Sequence, residues 1–295
     1  MASAYIDIKI RTLKRRFVMT RKEQLQEIEE RLKNGVEEYF TSEKYASLLR
    51  IMSKFHNYSF NNCILIATQC PQASFVTGYS NWKTSFNRIV KRGEKAIRII
   101  APCPYTKVNE ETGEEEKRIF FRTTSVFDLS QTIQIPNTEE VQFGIEELTG
   151  DVPDYERLLN AIIATSTCPV SYTKPKGSVK GYYAPLEKKI IVCEGMSELQ
   201  TIKTLLHEIA HSLLHNPEEM EERKVRRDTK EVEAESTAFI VATLLGLDTS
   251  DYSFKYIAGW NGKDNLKALS AAMKQVQDTA NQMYDNIIQQ LESVA

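Results

Sequence analysis

The sequence predicts an α+β protein: an amino-terminal α+β domain, then a domain that sets a small antiparallel sheet against helices carrying its polar motif. Three observations predict it. Leu25, Ile28, Leu32, Val36 and Phe40 recur at helical spacing behind the capping pattern Thr20-Arg21-Lys22-Glu23. Two runs rich in β-branched and aromatic residues, 96–100 and 118–127, flank an acidic turn and read as a hairpin. Short strand signals at 169–173, 181–184 and 189–193 lead into a second helical run, Leu199, Ile202, Leu205, Leu206, Ile209, Leu213 and Leu214, behind the start signal Ser197-Glu198-Leu199-Gln200.

Taken in order, helices are expected over 20–40, 42–56 and 59–69, the last ending before Pro71, with a short helical piece at 82–88. The acidic stretch 109–116 is a solvated loop at the hairpin turn. Residues 131–150, with Pro136, Asn137, Gly144 and Gly150, lack periodicity and read as the connection between domains. A helix at 154–164 opens the second domain, 247–260 is loop-rich, and 265–291 is a long amphipathic helix. The expected division is a basic disordered leader at 1–18, with Met19 as an alternative start, a domain at 19–135, a linker at 136–150 and a domain at 151–295.

The chain has 295 residues, of which 41% are apolar, enough for sizeable cores. It contains no run of eighteen apolar residues, so no membrane partner is expected. Residues 1–18 lack the apolar segment of a signal peptide. Five cysteines, odd in number and without a C-x-x-C pair, suit reduced thiols in a cytoplasm. The net charge of −2 conceals a division, +7 over 1–130 and −9 over 131–295. Within 44–108, ten basic residues meet a single acid, Glu94, a balance that attracts polyanions.

The chemistry lies in His207-Glu208-Ile209-Ala210-His211. Helix positions four apart share a face, so His207 and His211 direct ring nitrogens at one ion, while Glu208 stands beside it without binding. This is the pattern of zinc-dependent peptidases, in which the metal acidifies water and the glutamate takes the proton. A third ligand is expected from the helix-forming stretch 231–240, where Glu231 and Glu235 share a face. Glu231 is assigned to the metal and Glu235 to orienting a histidine, with the exchange of the two left open. Zn²⁺ is the expected cofactor, with Mn²⁺ or Ni²⁺ also suited to these ligands in isolated protein. Glu233 reads as a solvated helix face and His215 as helix-end surface. Tyr252, Tyr256 and His215 are candidate donors to a developing oxyanion.

The basic half gathers rings, amides and cations of the kind that hold single-stranded nucleic acid, in which aromatic faces stack on bases and Lys or Arg follows phosphates. The candidates are Phe55, His56, Tyr58, Asn61, Asn62, Trp82, Lys83, Arg88, Lys91, Arg92 and Lys95, with Tyr58 and Trp82 expected at the surface and Phe60, Phe75 and Phe86 in the core. No recognition helix for duplex DNA is evident. Two further readings stand beside this one: a single-strand-coating protein with a non-proteolytic metal domain, and a peptidase whose basic domain binds an acidic protein.

The string 55–62, the tract Tyr79-Ser80-Asn81-Trp82-Lys83 and the turn Val90-Lys91-Arg92-Gly93-Glu94-Lys95 resemble the single-stranded-DNA-binding domain of ArdC-type antirestriction proteins. The carboxy-terminal half, with His207–His211 and Glu231–Glu235, resembles the zincin-like metallopeptidase domain that follows it in that family. The resemblance spans roughly 20–260 and implies a protein of a conjugative or other mobile element in the bacterial cytoplasm. Its implied partners are single-stranded DNA and a protein or peptide substrate, and its implied role is helping transferred DNA escape restriction. The stretch 231–235 is similar to the E-x-x-x-[DE] element of related zincins, in which the first acid binds metal, and this implies Glu231 as the ligand.

Overall fold

The structure, a computed structural model, describes residues 21–40, 44–108, 115–139, 154–174, 179–218, 223, 225–247 and 266–293. The leader, the acidic turn, most of the linker, Tyr252 and Tyr256 lie outside the described residues. The first helices are α1 (Arg21–Tyr39), α2 (Tyr45–Lys54) and α3 (Phe60–Gln69). The α1 stripe of Ile28, Leu32 and Val36 is buried as its spacing requires. Gly35 lets α1 and α3 meet: a Cβ there would stand 2.6 Å from Ile64 Cγ2 and 2.7 Å from Thr68 Cγ2. Ser59 caps α3, its hydroxyl accepting from the Asn62 amide.

The first sheet is antiparallel, with β4 (Glu115–Asp128) between β1 (Val76–Gly78) and β3 (Ile97–Val108). The outer edge of β3 is covered by two side-chain amides from α3. Asn62 donates to the Ile100 carbonyl at 2.8 Å and accepts from its amide at 2.9 Å. Gln69 does the same at Arg98, at 2.8 and 2.9 Å. Farther along, Pro102 and Pro104 offer no donor, so the edge is closed to further strands. Helix α4 (Tyr79–Phe86) precedes β2 (Arg88–Val90), which pairs with β5 (Thr132–Gln134). The fully buried Asp128 ties the β4 end together by accepting from the amides of Ser74, Phe75 and Ser130 and from the Ser130 hydroxyl.

Beyond the linker come α5 (Tyr155–Thr165) and a sheet in which β8 (Lys189–Cys193) is central. The expected antiparallel pairing joins β7 (Gly181–Ala184) to β8, and β6 (Val170–Thr173) adds to the other side in parallel. Helices α6 (Glu198–Leu214), α7 (Arg227–Leu244) and α8 (Leu266–Ser293) complete the fold. In α7, Ala234, Ala238, Phe239, Ile240, Val241 and Ala242 are all fully buried, so this helix runs through the interior. Among the described residues, no helix is long and apolar enough to cross a membrane.

The two halves share one core. Helix α2 packs on α7, where the buried Tyr45 hydroxyl lies 2.9 Å from Ser236 Oγ and Arg50 stands over the Phe239 ring. Gln277 and Asn281 of α8 donate to the carbonyls of Tyr58 and His56. The helices that carry the metal-binding pattern are therefore braced by the amino-terminal helices.

Candidate metal centre

Leu205, Leu206, Ile209 and Ala210 are fully buried, which fixes the rotation of α6 and turns His207 and His211 toward α7. The two Nε2 atoms lie 3.1 Å apart. Glu231 Oε2, on α7, is 3.6 Å from each of them. Tetrahedral coordination at ~2.1 Å sets ligand atoms ~3.4 Å apart, and the observed separations of 3.1, 3.6 and 3.6 Å bracket that value. These three side chains thus fit one divalent ion. Glu235 is placed differently, its Oε2 lying 3.0 Å from His207 Nδ1, behind the ring, in an ion-pair contact short of hydrogen-bond geometry. Glu231 keeps about half of its side chain exposed, so the cluster is reached from solvent.

The electrostatics match a site built for a cation. Burial opposes protonation of His207, yet the carboxylates of Glu231 and Glu235 outweigh it and push its pKa up to about 10. The same contacts with His207 and His211 hold the Glu231 carboxyl well below the usual carboxylate range. Burial lowers His211, with Glu231 acting against it and the neighbouring His207 and His215 adding to it. Burial raises Glu208, an effect that His207 and the Tyr183 amide partly offset.

Two expectations are corrected beside the centre. His215 is buried, and Glu233, expected on a solvated face, is 1% exposed. A carboxylate so deep must be paired, and Glu233 accepts from Arg223 Nη2 at 2.6 Å and lies 2.9 Å from His215 Nε2. His215 Nδ1 in turn lies 2.9 Å from Nδ1 of His211. The signal in the sequence was the continued spacing His207, His211, His215, which places the third ring within reach of the second though not of a shared ion.

Glu208 faces strand β7, and the backbone of Tyr183 acts to keep its carboxylate charged. Lys180 accepts from Cys193, so alternation along an antiparallel pair directs the amides of Tyr182 and Ala184 to β8 and those of Gly181 and Tyr183 outward. Gly181 permits this approach: a Cβ would stand 2.7 Å from Thr204 Cγ2 and 3.5 Å from Glu208 Cγ. Strand β8 runs directly into α6 in the sequence. That strand has both edges filled, and among the described residues the edge beside Glu208 belongs to β7.

Residues 19–127 match the family described as the N-terminal domain of anti-restriction factor ArdC. This stretch is similar to that family. Most of the chain is similar in structure to antirestriction ArdC protein from R388 plasmid. Against the Mn(II)-bound crystal structure the TM-score is 0.59 at 18% identity, covering 87% of this chain and 97% of that one. Against the metal-free crystal structure it is 0.57 at 20% identity, covering 79% and 86%. An uncharacterised protein of Bacillus anthracis is 26% identical over 90% of this chain, which spans only 51% of that relative's length.

Within the ArdC-type domain, the structure separates the expected DNA contacts into two groups. Trp82, expected at the surface, is fully buried, with Nε1 donating to the Phe127 carbonyl and its ring packed edge-on against Phe75. Phe55 is buried, and Asn62 is occupied with the β3 edge. Tyr58 is half-buried, its hydroxyl donating to the Val76 carbonyl. Arg88 ties β2 to β5 by donating to Thr132 and Gln134. These side chains serve packing, and the polar groups of Trp82, Asn62, Tyr58 and Arg88 each find a backbone or side-chain partner inside the domain. His56 and Asn61 are half-exposed, and Lys83, Lys91, Arg92 and Lys95 are exposed. An exposed ring in the same stretch is Tyr79, 64% accessible and one helical turn before Lys83.

Proposed function

We propose that this chain is an antirestriction-type protein of a mobile genetic element, which binds single-stranded DNA through its amino-terminal domain and hydrolyses peptide bonds at the carboxy-terminal centre. The observation that carries the reading is the convergence of His207, His211 and Glu231 on one ion-sized space, with Glu208 beside it and a strand edge facing it. Zn²⁺ is the ion this ligand set suits, and the Mn(II)-bound ArdC of R388 supports a divalent cation in this fold. Such an ion, when bound, acidifies water and polarises a carbonyl.

The chain's own residues supply the rest. Glu208 takes the proton of the attacking water and returns it to the leaving amine, and its raised pKa suits it to hold that proton between the two transfers. Gly181 and Tyr183 present the β7 edge along which an extended peptide pairs. In the amino-terminal domain, Tyr79 offers a stacking face, and Lys83, Lys91, Arg92 and Lys95 offer cations to phosphates.

The test is to incubate wild-type and Glu208→Gln protein with recipient-cell extract, with and without single-stranded DNA, and to map new protein termini by mass spectrometry. Termini made by wild type alone are the expected result. Identical termini from both proteins would remove Glu208 from the reaction.

A further inference from the structure

We propose that His215 and Glu233 form a hydrogen-bond relay that fixes the tautomer of His211, so that its Nε2 presents a lone pair to the cation. The proposal rests on the reading of His207, His211 and Glu231 as a metal centre. Metal-bound imidazoles commonly donate their second N–H directly to a carboxylate or carbonyl. Here another imidazole stands between the ligand and the carboxylate.

The polarity of the relay follows from charge and position. Glu233 and Arg223 already form a neutral pair, with Glu233 1% exposed. The relay takes one proton on the His215 ring, which is buried between Glu233 and His211. Its Nε2, 2.9 Å from Glu233 Oε2, must hold that proton, because the carboxylate can only accept. His215 Nδ1 is then an acceptor, and the 2.9 Å contact requires His211 Nδ1 to donate. The proton of His211 is thereby held on the side away from Glu231, and Nε2 is left with its lone pair toward the ligand cluster. With the opposite polarity the His211 proton would sit on Nε2, where the ion must bind. His215 and Glu233 are therefore positioning residues that touch neither ion nor substrate.

The experiment measures Zn²⁺ affinity by chelator competition for wild type, His215→Phe and His215→Asn, with the thermal midpoint of each metal-free protein as a control for folding. His215→Phe keeps a ring but has no acceptor, and its affinity should fall about 10–100-fold. His215→Asn retains an acceptor near the Nδ1 position and should lose less. A folded His215→Phe protein that binds zinc as wild type does would overturn the relay. Wild type that takes up no zinc would instead bring down the metal reading, and the relay with it. Independently of any variant folding, ¹⁵N spectra of ring-labelled, zinc-loaded wild type should show His215 protonated on Nε2 and bare on Nδ1, and a proton on His215 Nδ1 would overturn the proposal.

Discussion

Glu231 Oε2 lies 3.6 Å from His207 Nε2, while Glu235, one turn farther along the same helix, reaches the opposite nitrogen of that ring at 3.0 Å. The two carboxylates therefore hold different sides of one imidazole. Glu231→Ala should lower zinc affinity by at least about 100-fold, and Glu235→Ala by about 10–100-fold, through loss of ring orientation. Chelator competition measures both, and the reverse order would exchange their roles.

Zinc affinity should rise with pH. His207 carries a proton up to about pH 10, and that proton must leave before Nε2 can bind, whereas Glu231, held below the usual carboxylate range, is already ionised. Below the His207 pKa each further pH unit removes one competitor, so apparent affinity should increase about tenfold per unit between about pH 7 and 9. Calorimetry in buffers of different ionisation enthalpy should report about one proton released per ion bound. A pH-independent affinity would contradict the charge state assigned to His207.

Gly181→Ala should destabilise the protein by about 1–3 kcal/mol, the usual cost of overpacking. The new methyl group would meet Thr204 Cγ2 at 2.7 Å and the Ile191 carbonyl oxygen at 2.9 Å, and the second of these is backbone that cannot swing aside. Chemical denaturation checks it. Since a Cβ at this position would also touch Glu208 Cγ, at 3.5 Å, peptidase turnover should fall more than zinc affinity does.

In the ArdC-type domain, Trp82→Ala should cost about 3–5 kcal/mol of stability as a core truncation. Lys91→Ala, Arg92→Ala and Lys95→Ala should leave stability within about 0.5 kcal/mol, since surface substitutions away from special features change little. Each lysine or arginine that contacts a phosphate should reduce the salt dependence of single-strand binding when removed, by about 0.7 in the log–log slope. Salt titrations of binding read this directly. Unchanged slopes for all three would move the DNA to another face.

Local patterns in the sequence carried a large part of the molecule. The stripe of Ile28, Leu32 and Val36, the caps at Ser59 and Ser197, and the apolar run within 189–193 each depend on neighbours a few residues away. His207 and His211 belong to this class, because helical spacing alone puts them on one face. Where the reading failed, the deciding partner lay far along the chain. Trp82 reads as a surface ring among polar neighbours, yet its indole N–H is satisfied by Phe127. Asn62 reads as a base contact, yet its amide closes a sheet edge at Ile100.

The sequence by itself determined that two imidazoles and a glutamate would share one helix and that acids would follow on another. Only the tertiary structure decided which acid meets the imidazoles, which strand has a free edge, and that Glu233 and His215 are buried together behind His211. The reason is physical: helical period fixes angles within one helix, whereas the crossing of α6 and α7 is set by core packing of residues such as Leu206, Ile209, Ala238 and Phe239, whose shapes act only once all are assembled.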